Sequence, residues 1–264
     1  MHPGVPLASA ANPLIKDIRR AVQKGDATAD GLWVAEGLHL LEEARRTGLA
    51  VPAVLVSESA RNREELCRLA GNSRLMLLPD RVFDGIASTE TSQGLISLVR
   101  PPEWSPEKLF SSRSLVVVLD GIQDPGNAGA VVRAAEAFGA TGILFLRGTT
   151  GPTNPKTLRA SAGSLFRVPF LLGVEPSRAR KLLESRSVLL YGAVPFADGV
   201  RRAGDLDFRT PCAFAIGSEG RGLGTEMRAA ATGVTIPTAG VESLNAAVSA
   251  AILLYEAACQ RGTP

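Results

Sequence analysis

The stretch at residues 235–256, TIPTAGVESLNAAVSAAILLYE, decides how the second half of the chain folds. It begins as a short apolar strand, is interrupted by Pro237 and Gly240, and continues as a helix from Ser243, whose hydroxyl can cap the first turn. Apolar residues then recur at helical spacing and small residues fill the other faces, as is typical of a helix buried in a domain or against a partner subunit. Free N–H groups in the first turn favour binding of a polar ligand, although an ordinary capped core helix has the same pattern.

The composition indicates a globular protein that forms its own hydrophobic core. Of the 264 residues, 45% are hydrophobic and 21% are charged, and no apolar run is long enough to span a membrane. The first residues, MHPGVPLASAANP, lack a basic segment followed by an apolar core, so we expect no secretion signal and a cytoplasmic location. With 3 cysteines, no CxxC pair and 2 histidines, there is little from which to build a disulfide framework, a metal site or a serine–histidine–aspartate triad.

Positive charge is concentrated in the second half of the chain and is mostly arginine. The net charge is +3; residues 105–264 hold 17 Lys and Arg against 13 Asp and Glu, whereas residues 1–104 hold 12 against 13. Arginine binds phosphate through two parallel hydrogen bonds, so the imbalance favours a nucleic-acid partner, although enzymes with neutral substrates share it. Three cations of a predicted N-terminal helix, Lys16, Arg19 and Arg20, either are solvated or contact RNA phosphates.

The order of predicted elements indicates two α/β domains joined by a linker. Strands alternate with helices over residues 1–100, residues 101–112 are rich in proline, and residues 113–264 form the second domain. That domain opens with a continuous apolar run at 115–119, which is typical of a strand buried on both faces of a parallel sheet. We therefore expect an open parallel sheet with helices on both sides and a ligand beyond the carboxyl ends of its strands.

Three loops at predicted strand ends carry the side chains that could perform chemistry. The first, LDGIQDPGNAGAVVRAAEAFGA at 119–140, is predicted as a turn and then a helix from Asn127, in which Arg133 either points back towards the turn or lies at the surface. The second, AIGSEGRGLG at 215–224, suits a cradle for a nucleotide-like ligand, but its GxxGxG spacing differs from the dinucleotide-binding GxGxxG. The third is IPTAGVESLN, in the stretch quoted above.

Together the three loops resemble the three motifs of the SpoU (TrmH) family of RNA ribose 2′-O-methyltransferases. The family's first motif has the form N-x-G-x-x-x-R, its second is G-S-E-G-x-G-L, and its third is I-P followed by S-L-N and an Ala-rich helix. The matching residues are Asn127, Gly129 and Arg133; Gly217, Ser218, Glu219, Gly220, Gly222 and Leu223; and Ile236, Pro237, Ser243, Leu244 and Asn245. The order and the spacing of the motifs fit across residues 115–260.

Weaker similarities extend this resemblance. Residues 159–167 look like the family's intermediate segment, and residues 89–94 with the small α/β unit resemble the N-terminal RNA-binding domain that many members carry. Ala246 and Ala247 depart from the family, where Val-Ser is common, but the change is conservative in size.

The resemblance implies a fold, a cofactor and an assembly. The second domain would be a parallel sheet with a deep trefoil knot, and the chain would form a homodimer through its C-terminal and first-motif helices. S-adenosylmethionine would be held mainly by backbone groups. The implied cofactor-binding residues are Val194, Pro195, Gly217, Glu219, Gly220, Ile236, Pro237, Ser243, Leu244 and Asn245. The implied catalytic residues are Arg133, Asn127, Glu219 and Asn245, and Arg133 would also bind RNA.

The reaction implied is attack of a ribose 2′-hydroxyl on the methyl group of the sulfonium, so the enzyme must align two reactants and remove a proton. The family assigns the proton to Arg133. A guanidinium, whose pKa is above about 12, is a poor base. We therefore interpret Arg133 as a clamp for the phosphate beside the target ribose. Glu219 would pair with Arg133 across the dimer or fix its own loop.

The substrate predicted from the appended first domain is ribosomal RNA, with transfer RNA as the alternative. Two other classes compete with the enzyme: a non-catalytic RNA-binding protein of the same fold, and a nucleotide-dependent oxidoreductase on an ordinary doubly wound sheet. Every motif position that would touch cofactor or ribose is filled, which argues against the first. The lack of GxGxxG and the presence of the third loop argue against the second.

Overall fold

The computed structural model describes residues 10–60, 63–89, 91–197 and 200–262, so Glu90 of the predicted 89–94 stretch lies outside the described residues. The chain forms two compact units, one made of Met1–Pro102 with Pro152–Phe166 and the other of Glu103–Gly151 with Arg167–Pro264. The sequence prediction divided the chain at a single linker, whereas by its contacts Pro152–Phe166 belongs to the first unit.

Helices and strands alternate along both units. The helices are α1 (Pro13–Lys24), α2 (Leu38–Arg46), α3 (Arg63–Leu69), α4 (Asp80–Asp84), α5 (Pro125–Ala137), α6 (Pro155–Ala160), α7 (Pro176–Glu184), α8 (Thr225–Ala230) and α9 (Ala246–Arg261). The strands are β1 (Trp33–Glu36), β2 (Ala53–Ser57), β3 (Arg74–Leu78), β4 (Leu95–Val99), β5 (Leu115–Asp120), β6 (Gly142–Leu146), β7 (Phe170–Val174), β8 (Leu189–Ala193), β9 (Arg201–Arg202), β10 (Cys212–Gly217) and β11 (Thr232–Thr235). No helix within the described residues is both long enough and apolar enough to cross a membrane.

The first unit is built on a four-stranded mixed sheet in the order β1-β4-β2-β3. Strand β4 runs antiparallel to β1 and β2, and β2 pairs in parallel with β3. Alternate residues of a strand point to opposite faces, and here Leu55 packs with Ile15 and Ile18 of α1 while Val54 and its neighbours pack with Leu41 of α2. The sheet therefore has a hydrophobic core on each face.

The second unit is built on a seven-stranded sheet in the order β7-β6-β5-β10-β8-β11-β9, and every recorded strand pair in it is parallel. This confirms the predicted parallel sheet, while the trefoil knot stays a prediction. Val116 and Val118 of β5 pack on one face with Ala179 and Leu183 of α7. Chain order is broken between β5 and β10, and such a switch point opens a crevice at the carboxyl ends of the strands.

Two predicted helix starts and one predicted strand were wrong. Helix α9 begins at Ala246 and is capped by Asn245, whose Oδ1 accepts from the N–H groups of two residues in the first turn, so Ser243 is not the cap. Helix α5 begins at Pro125 rather than Asn127, because the Asp124 carboxylate accepts the Asn127 N–H at 2.7 Å and proline suits a first helical position. The apolar strand ends at Thr235 instead of starting there, which leaves IPTAGVESLN as a loop.

Candidate active site

Two of the three motif loops, together with the turn that follows β8, enclose a cavity of about 570 Å³ at the carboxyl ends of the strands. Nine of the ten predicted cofactor-binding residues line it: Val194, Pro195, Gly217, Glu219, Gly220, Ile236, Ser243, Leu244 and Asn245. Pro237, the tenth, is not among its lining residues. The volume of this cavity lies within the usual range for sites that bind small molecules, roughly 300 to 1,000 Å³.

The cavity is also lined by side chains that the motifs did not indicate. Phe196 is 67% exposed and follows the predicted pair 194–195. Arg228, on α8, and Glu242, in the third loop, add a cation and a carboxylate to the wall. The position of Phe196 directly after the predicted pair 194–195 was the available signal for it in the sequence, and no signal marked Arg228.

The second loop closes on itself. Ser218 and Gly222 exchange two backbone hydrogen bonds, of 3.1 and 2.7 Å, and the Asp120 carboxylate accepts the Gly224 N–H at 2.7 Å. A Cβ atom on Gly217 would lie 2.2 Å from the carbonyl carbon of Gly222 and 2.3 Å from the backbone nitrogen of Leu223. Gly217 is therefore required by the loop's own backbone, before any ligand is considered.

Three of the four predicted catalytic residues meet in one hydrogen-bonded triangle. Glu219 Oε1 accepts from the side-chain amides of Asn127 at 2.6 Å and of Asn245 at 2.8 Å. The Asn245 amide also donates to Asn127 Oδ1 at 3.0 Å, while its own oxygen caps α9 by accepting from Ala247 N and Val248 N at 2.9 and 3.3 Å. Each member comes from a different motif, so the triangle forms only when all three loops are in place.

Arg133, the fourth predicted catalytic residue, lies apart from this triangle. It is exposed on α5, further along the helix than Asn127, and it lines neither the cofactor-sized cavity nor the cavity described next. Its side chain is therefore available to a ligand that approaches from outside the unit.

A second cavity, of about 760 Å³, lies against the other side of the second loop. It is bounded by the first loop and by residues 147–148, and it shares residues 218–222 and Ala246 with the first cavity. Its charged side chains are those of Asp120, Asp124, Arg147, Glu219 and Arg221. The sequence motifs gave no indication of a second cavity, because it depends on how β5 and β6 end side by side.

The predicted RNA-binding cations of α1 are partly engaged within the first unit. Arg20 forms an ion pair with Asp17 at 2.8 Å, and Arg19 donates to the carbonyl oxygen of Gly85 at 3.0 Å. Burial raises the pKa of Asp17, but hydrogen bonds from the Ala29 N–H and from Arg20 outweigh it and leave the pKa below its usual value. The Arg20 charge is thus compensated locally, whereas Lys16 is exposed.

Helix α9 has one buried face and one exposed apolar face. Leu253 and Leu254 are fully buried, while Val248, Ile252 and Tyr255, spaced as neighbours on one side of a helix, are 47%, 37% and 55% exposed. The Tyr255 ring packs edge-on against Phe138 with 5.7 Å between ring centroids. Three large apolar side chains are therefore exposed together on one face of this helix.

Each of the two parts of the chain matches a known protein family. Residues 114–255 match the SpoU rRNA Methylase family, and residues 12–97 match the MRM3-like substrate binding domain. The chain belongs to the SpoU rRNA methylase family, as the three motifs predicted.

Characterised relatives match the chain over nearly its whole length. The 23S rRNA (guanosine(2553)-2′-O)-methyltransferase RlmP of Bacillus subtilis is 32% identical over 251 residues, which is 94% of this chain and 97% of that protein. The methyltransferase AviRb from Streptomyces viridochromogenes, in complex with AdoMet, is 26% identical, with a TM-score of 0.83 over 96% of this chain and 99% of its own. An RNA 2′-O ribose methyltransferase is 31% identical, with a TM-score of 0.79 over 97% and 99%.

The protein is therefore an S-adenosylmethionine-dependent RNA 2′-O-ribose methyltransferase. The predictions of family, activity and cofactor are confirmed.

Proposed function

We propose that the enzyme methylates a ribose 2′-hydroxyl in ribosomal RNA, at the junction of the two cavities. The observation that carries this proposal is the triangle of Asn127, Glu219 and Asn245, which joins the three motifs where the two cavities share a wall. A composite site of this kind can hold a cofactor on one side and a nucleotide on the other.

Ribosomal RNA is favoured over transfer RNA because similar proteins are named as ribosomal RNA methyltransferases. The named relative from Bacillus subtilis acts on 23S rRNA, and an AdoMet-bound neighbour from Sinorhizobium meliloti, 27% identical with a TM-score of 0.81, is an rRNA methyltransferase. Both are matched over at least 94% of this chain, including the first unit. We expect the protein to work in the cytoplasm.

We assign the cofactor to the 570 Å³ cavity and a recognition role to the first domain. The adenosine part of S-adenosylmethionine would contact Gly217, Ile236 and Leu244. The glycine-rich backbone of the second motif has N–H groups that no side chains of its own cover. In this proposal, residues 1–100 recognise the RNA, residues 101–112 are a linker and residues 113–264 carry the reaction. Two segments depart from that division by chain order: Pro152–Phe166 packs with the first unit, and residues 103–112 of the proposed linker belong to the second unit, in whose core Leu109 is buried.

We propose a homodimer formed through the exposed face of α9. Val248, Ile252 and Tyr255 would be covered by the same face of a second copy, as in an isologous interface. Arg133, exposed on the neighbouring helix α5, would bind the phosphate beside the target ribose and so help to align the hydroxyl with the methyl group.

The proposal is tested with purified protein, S-adenosylmethionine labelled on its methyl group, and RNA from cells that lack the gene. We expect label in ribosomal RNA, recovered after digestion as a 2′-O-methylnucleoside, and no label in transfer RNA. Label in transfer RNA alone would establish the alternative substrate. RNA binding without any transfer would establish the non-catalytic alternative.

A further inference from the structure

Positive charge in the first unit is concentrated on two helices that come from distant parts of the chain. The cations of α1 are Lys16, Arg19, Arg20 and Lys24, and those of α6 are Lys156 and Arg159. Helix α1 contains one acidic residue, Asp17, and α6 contains none. The two helices therefore have a net charge of +5, whereas the whole chain has a net charge of +3.

These two helices meet within the first unit, to which residues 152–166 belong by their contacts. Thr153 Oγ1, just before α6, donates to the carbonyl oxygen of Gly25, the residue that ends α1, at 3.0 Å. A Cβ atom on Gly25 would lie 2.8 Å from the side-chain nitrogen of Asn154, which caps α6. The C-terminal end of α1 thus contacts the N-terminal end of α6. Lys24 and Lys156 each lie within two residues of this contact.

The arginines of the two helices are anchored to one short loop, residues 85–88. Arg19 Nε donates to the carbonyl oxygen of Gly85 at 3.0 Å, and Arg159 Nη1 donates to Ser88 Oγ at 3.0 Å. Three residues of chain separate the Cα atoms of Gly85 and Ser88 by at most about 11 Å. A guanidinium has five N–H donors, and each arginine uses one of them in a hydrogen bond to the described residues. Both guanidinium groups are therefore held in place with donors left for a ligand.

Carboxylates compensate two of the six cations. Arg20 forms its ion pair with Asp17, and the buried carboxylate of Glu36 lies 4.0 Å from Arg159. The hydrogen bond of Arg19 goes to a neutral carbonyl oxygen, which leaves the charge of this side chain in place. The cations that form no ion pair within the described residues are Lys16, Arg19, Lys24 and Lys156. Four positive charges are therefore available to an anionic partner.

We propose that α1 and α6 form one binding surface for the phosphate backbone of RNA, so that a segment from the second half of the chain completes the recognition domain; this inference rests on the proposed function. The α1–α6 surface consists of Lys16, Arg19, Lys24, Lys156 and Arg159. Lysines bind phosphate as point charges, and arginines bind it through paired hydrogen bonds. Lys16 and Lys24 are eight residues apart, about 12 Å along a helix, so the surface is long enough to contact more than one phosphate of a strand.

The variant Lys156→Glu tests the contribution of α6, because this exposed side chain forms no hydrogen bond or ion pair within the described residues and its loss should leave the fold intact. The probe is ribosomal RNA from cells that lack the gene, in filter-binding titrations of the full-length protein. At about 0.1 M salt we expect RNA affinity to fall at least fivefold. The slope of log affinity against log salt concentration should become shallower by about 0.7, the change expected for one phosphate contact on a single strand. Affinity for S-adenosylhomocysteine should not change.

Two further variants separate a local surface from a general effect of charge. Lys24→Glu, on α1, should weaken RNA binding as Lys156→Glu does. Lys181→Glu makes the same change at an exposed position of α7 and should bind RNA within twofold of wild type. RNA affinity within twofold of wild type in Lys156→Glu, or an equal loss in Lys181→Glu, would overturn the inference alone. A wild-type protein that binds ribosomal RNA without methyl transfer would overturn the proposed function and leave the surface standing, whereas no binding of ribosomal RNA would overturn both.

Discussion

Asn127 and Asn245 lie 118 positions apart in the chain, yet their side chains share a hydrogen bond of 3.0 Å and a common acceptor, Glu219 Oε1. Asn127 stands in the first turn of α5, and Asn245 caps α9. The two helices pack against each other, so the triangle also ties their N-terminal ends together. The same contacts thus serve both the stability of the unit and the geometry of the site.

Substitutions of Asn245 should separate these two roles. Asn245→Ala removes the cap of α9 and should lower the free energy of unfolding by about 1 kcal/mol. Asn245→Asp keeps an oxygen that can cap the helix but replaces the amide donor with a second carboxylate beside Glu219. We expect both variants to lose most of their methyl-transfer activity, measured as label transferred to RNA. Only Asn245→Ala should lose the full capping energy, measured by denaturant unfolding. Full activity in Asn245→Asp would show that the donation to Glu219 is dispensable.

Gly217→Ala should displace the second loop. Its new methyl group would meet the backbone of Gly222 and Leu223 at little more than 2 Å, so the loop must move. We expect affinity for S-adenosylhomocysteine to fall at least tenfold by calorimetry, which corresponds to about 1.4 kcal/mol. Gly240→Ala is the matched control, since a Cβ there meets nothing within 4 Å. Unchanged affinity in Gly217→Ala would mean that the observed loop backbone is not needed for binding.

Residues 103–264 produced alone should bind S-adenosylhomocysteine, because every residue that lines the 570 Å³ cavity belongs to that piece. They should unfold at a lower temperature than the full chain. The segment Pro152–Phe166 would lose its partners in the first unit, including the stacking of Phe166 on Trp33 and the hydrogen bond from Arg159 to Ser88. RNA affinity should fall at least tenfold. Equal RNA affinity for the fragment and the full chain would contradict the recognition role of the first domain.

Arg133 is expected to act as a cation on the RNA. Arg133→Lys keeps the charge but loses the paired hydrogen bonds of the guanidinium, so the rate should fall strongly without vanishing, and Arg133→Ala should be nearly inactive. Both variants should bind S-adenosylhomocysteine normally, because Arg133 does not line the cavity. A steep rise of the Arg133→Lys rate with pH would instead identify position 133 as the base. Near wild-type transfer by Arg133→Ala would show that this arginine is only a surface residue.

Stability should depend on pH through Glu36 in the first unit. Its carboxylate accepts the Ser88 N–H at 2.7 Å and the hydroxyls of Ser88 and Thr89. Burial raises the pKa of Glu36, but these hydrogen bonds outweigh it and leave the pKa below its usual value. The contribution is therefore present above the unfolded-state pKa of about 4.3 and is lost as the pH falls through the lower folded-state pKa.

Glu36→Gln should lower the free energy of unfolding at neutral pH by about 1 to 3 kcal/mol and reduce its loss in acid. Urea unfolding between pH 3 and pH 7 measures both effects, with Glu64→Gln, an exposed helix residue, as the control. Acid sensitivity equal to that of wild type would remove Glu36 from this role.

The sequence predicted those features that depend on local pattern. The apolar run of β5 indicated a doubly covered parallel strand, and nine of the ten predicted cofactor-binding residues line the 570 Å³ cavity. The ion pair between Asp17 and Arg20 also follows from their i, i+3 spacing on a helix, but the sequence analysis considered only solvent or RNA phosphates as partners of Arg20.

Other features depend on contacts between distant parts of the chain. Ser243 and Asn245 are both good capping residues, and only the folded loop decides that Asn245 reaches the free N–H groups of α9. The role of Gly217 follows from the return of the backbone at Gly222, and the second cavity follows from neighbouring strand ends. The segment Pro152–Phe166 packs with the first unit, and its sequence has no periodic pattern that would indicate this packing.

The central claim is that three loops of one parallel sheet form a single site that methylates a ribose hydroxyl of ribosomal RNA. It is tested most directly by mapping 2′-O-methyl groups across the RNA of cells with the gene, without it, and with the gene carrying Asn245→Ala. We predict that a ribose methyl group in ribosomal RNA is lost without the gene and is restored by the wild-type gene but not by the variant. An unchanged map of ribose methyl groups, or a loss confined to base methyl groups, would contradict the claim.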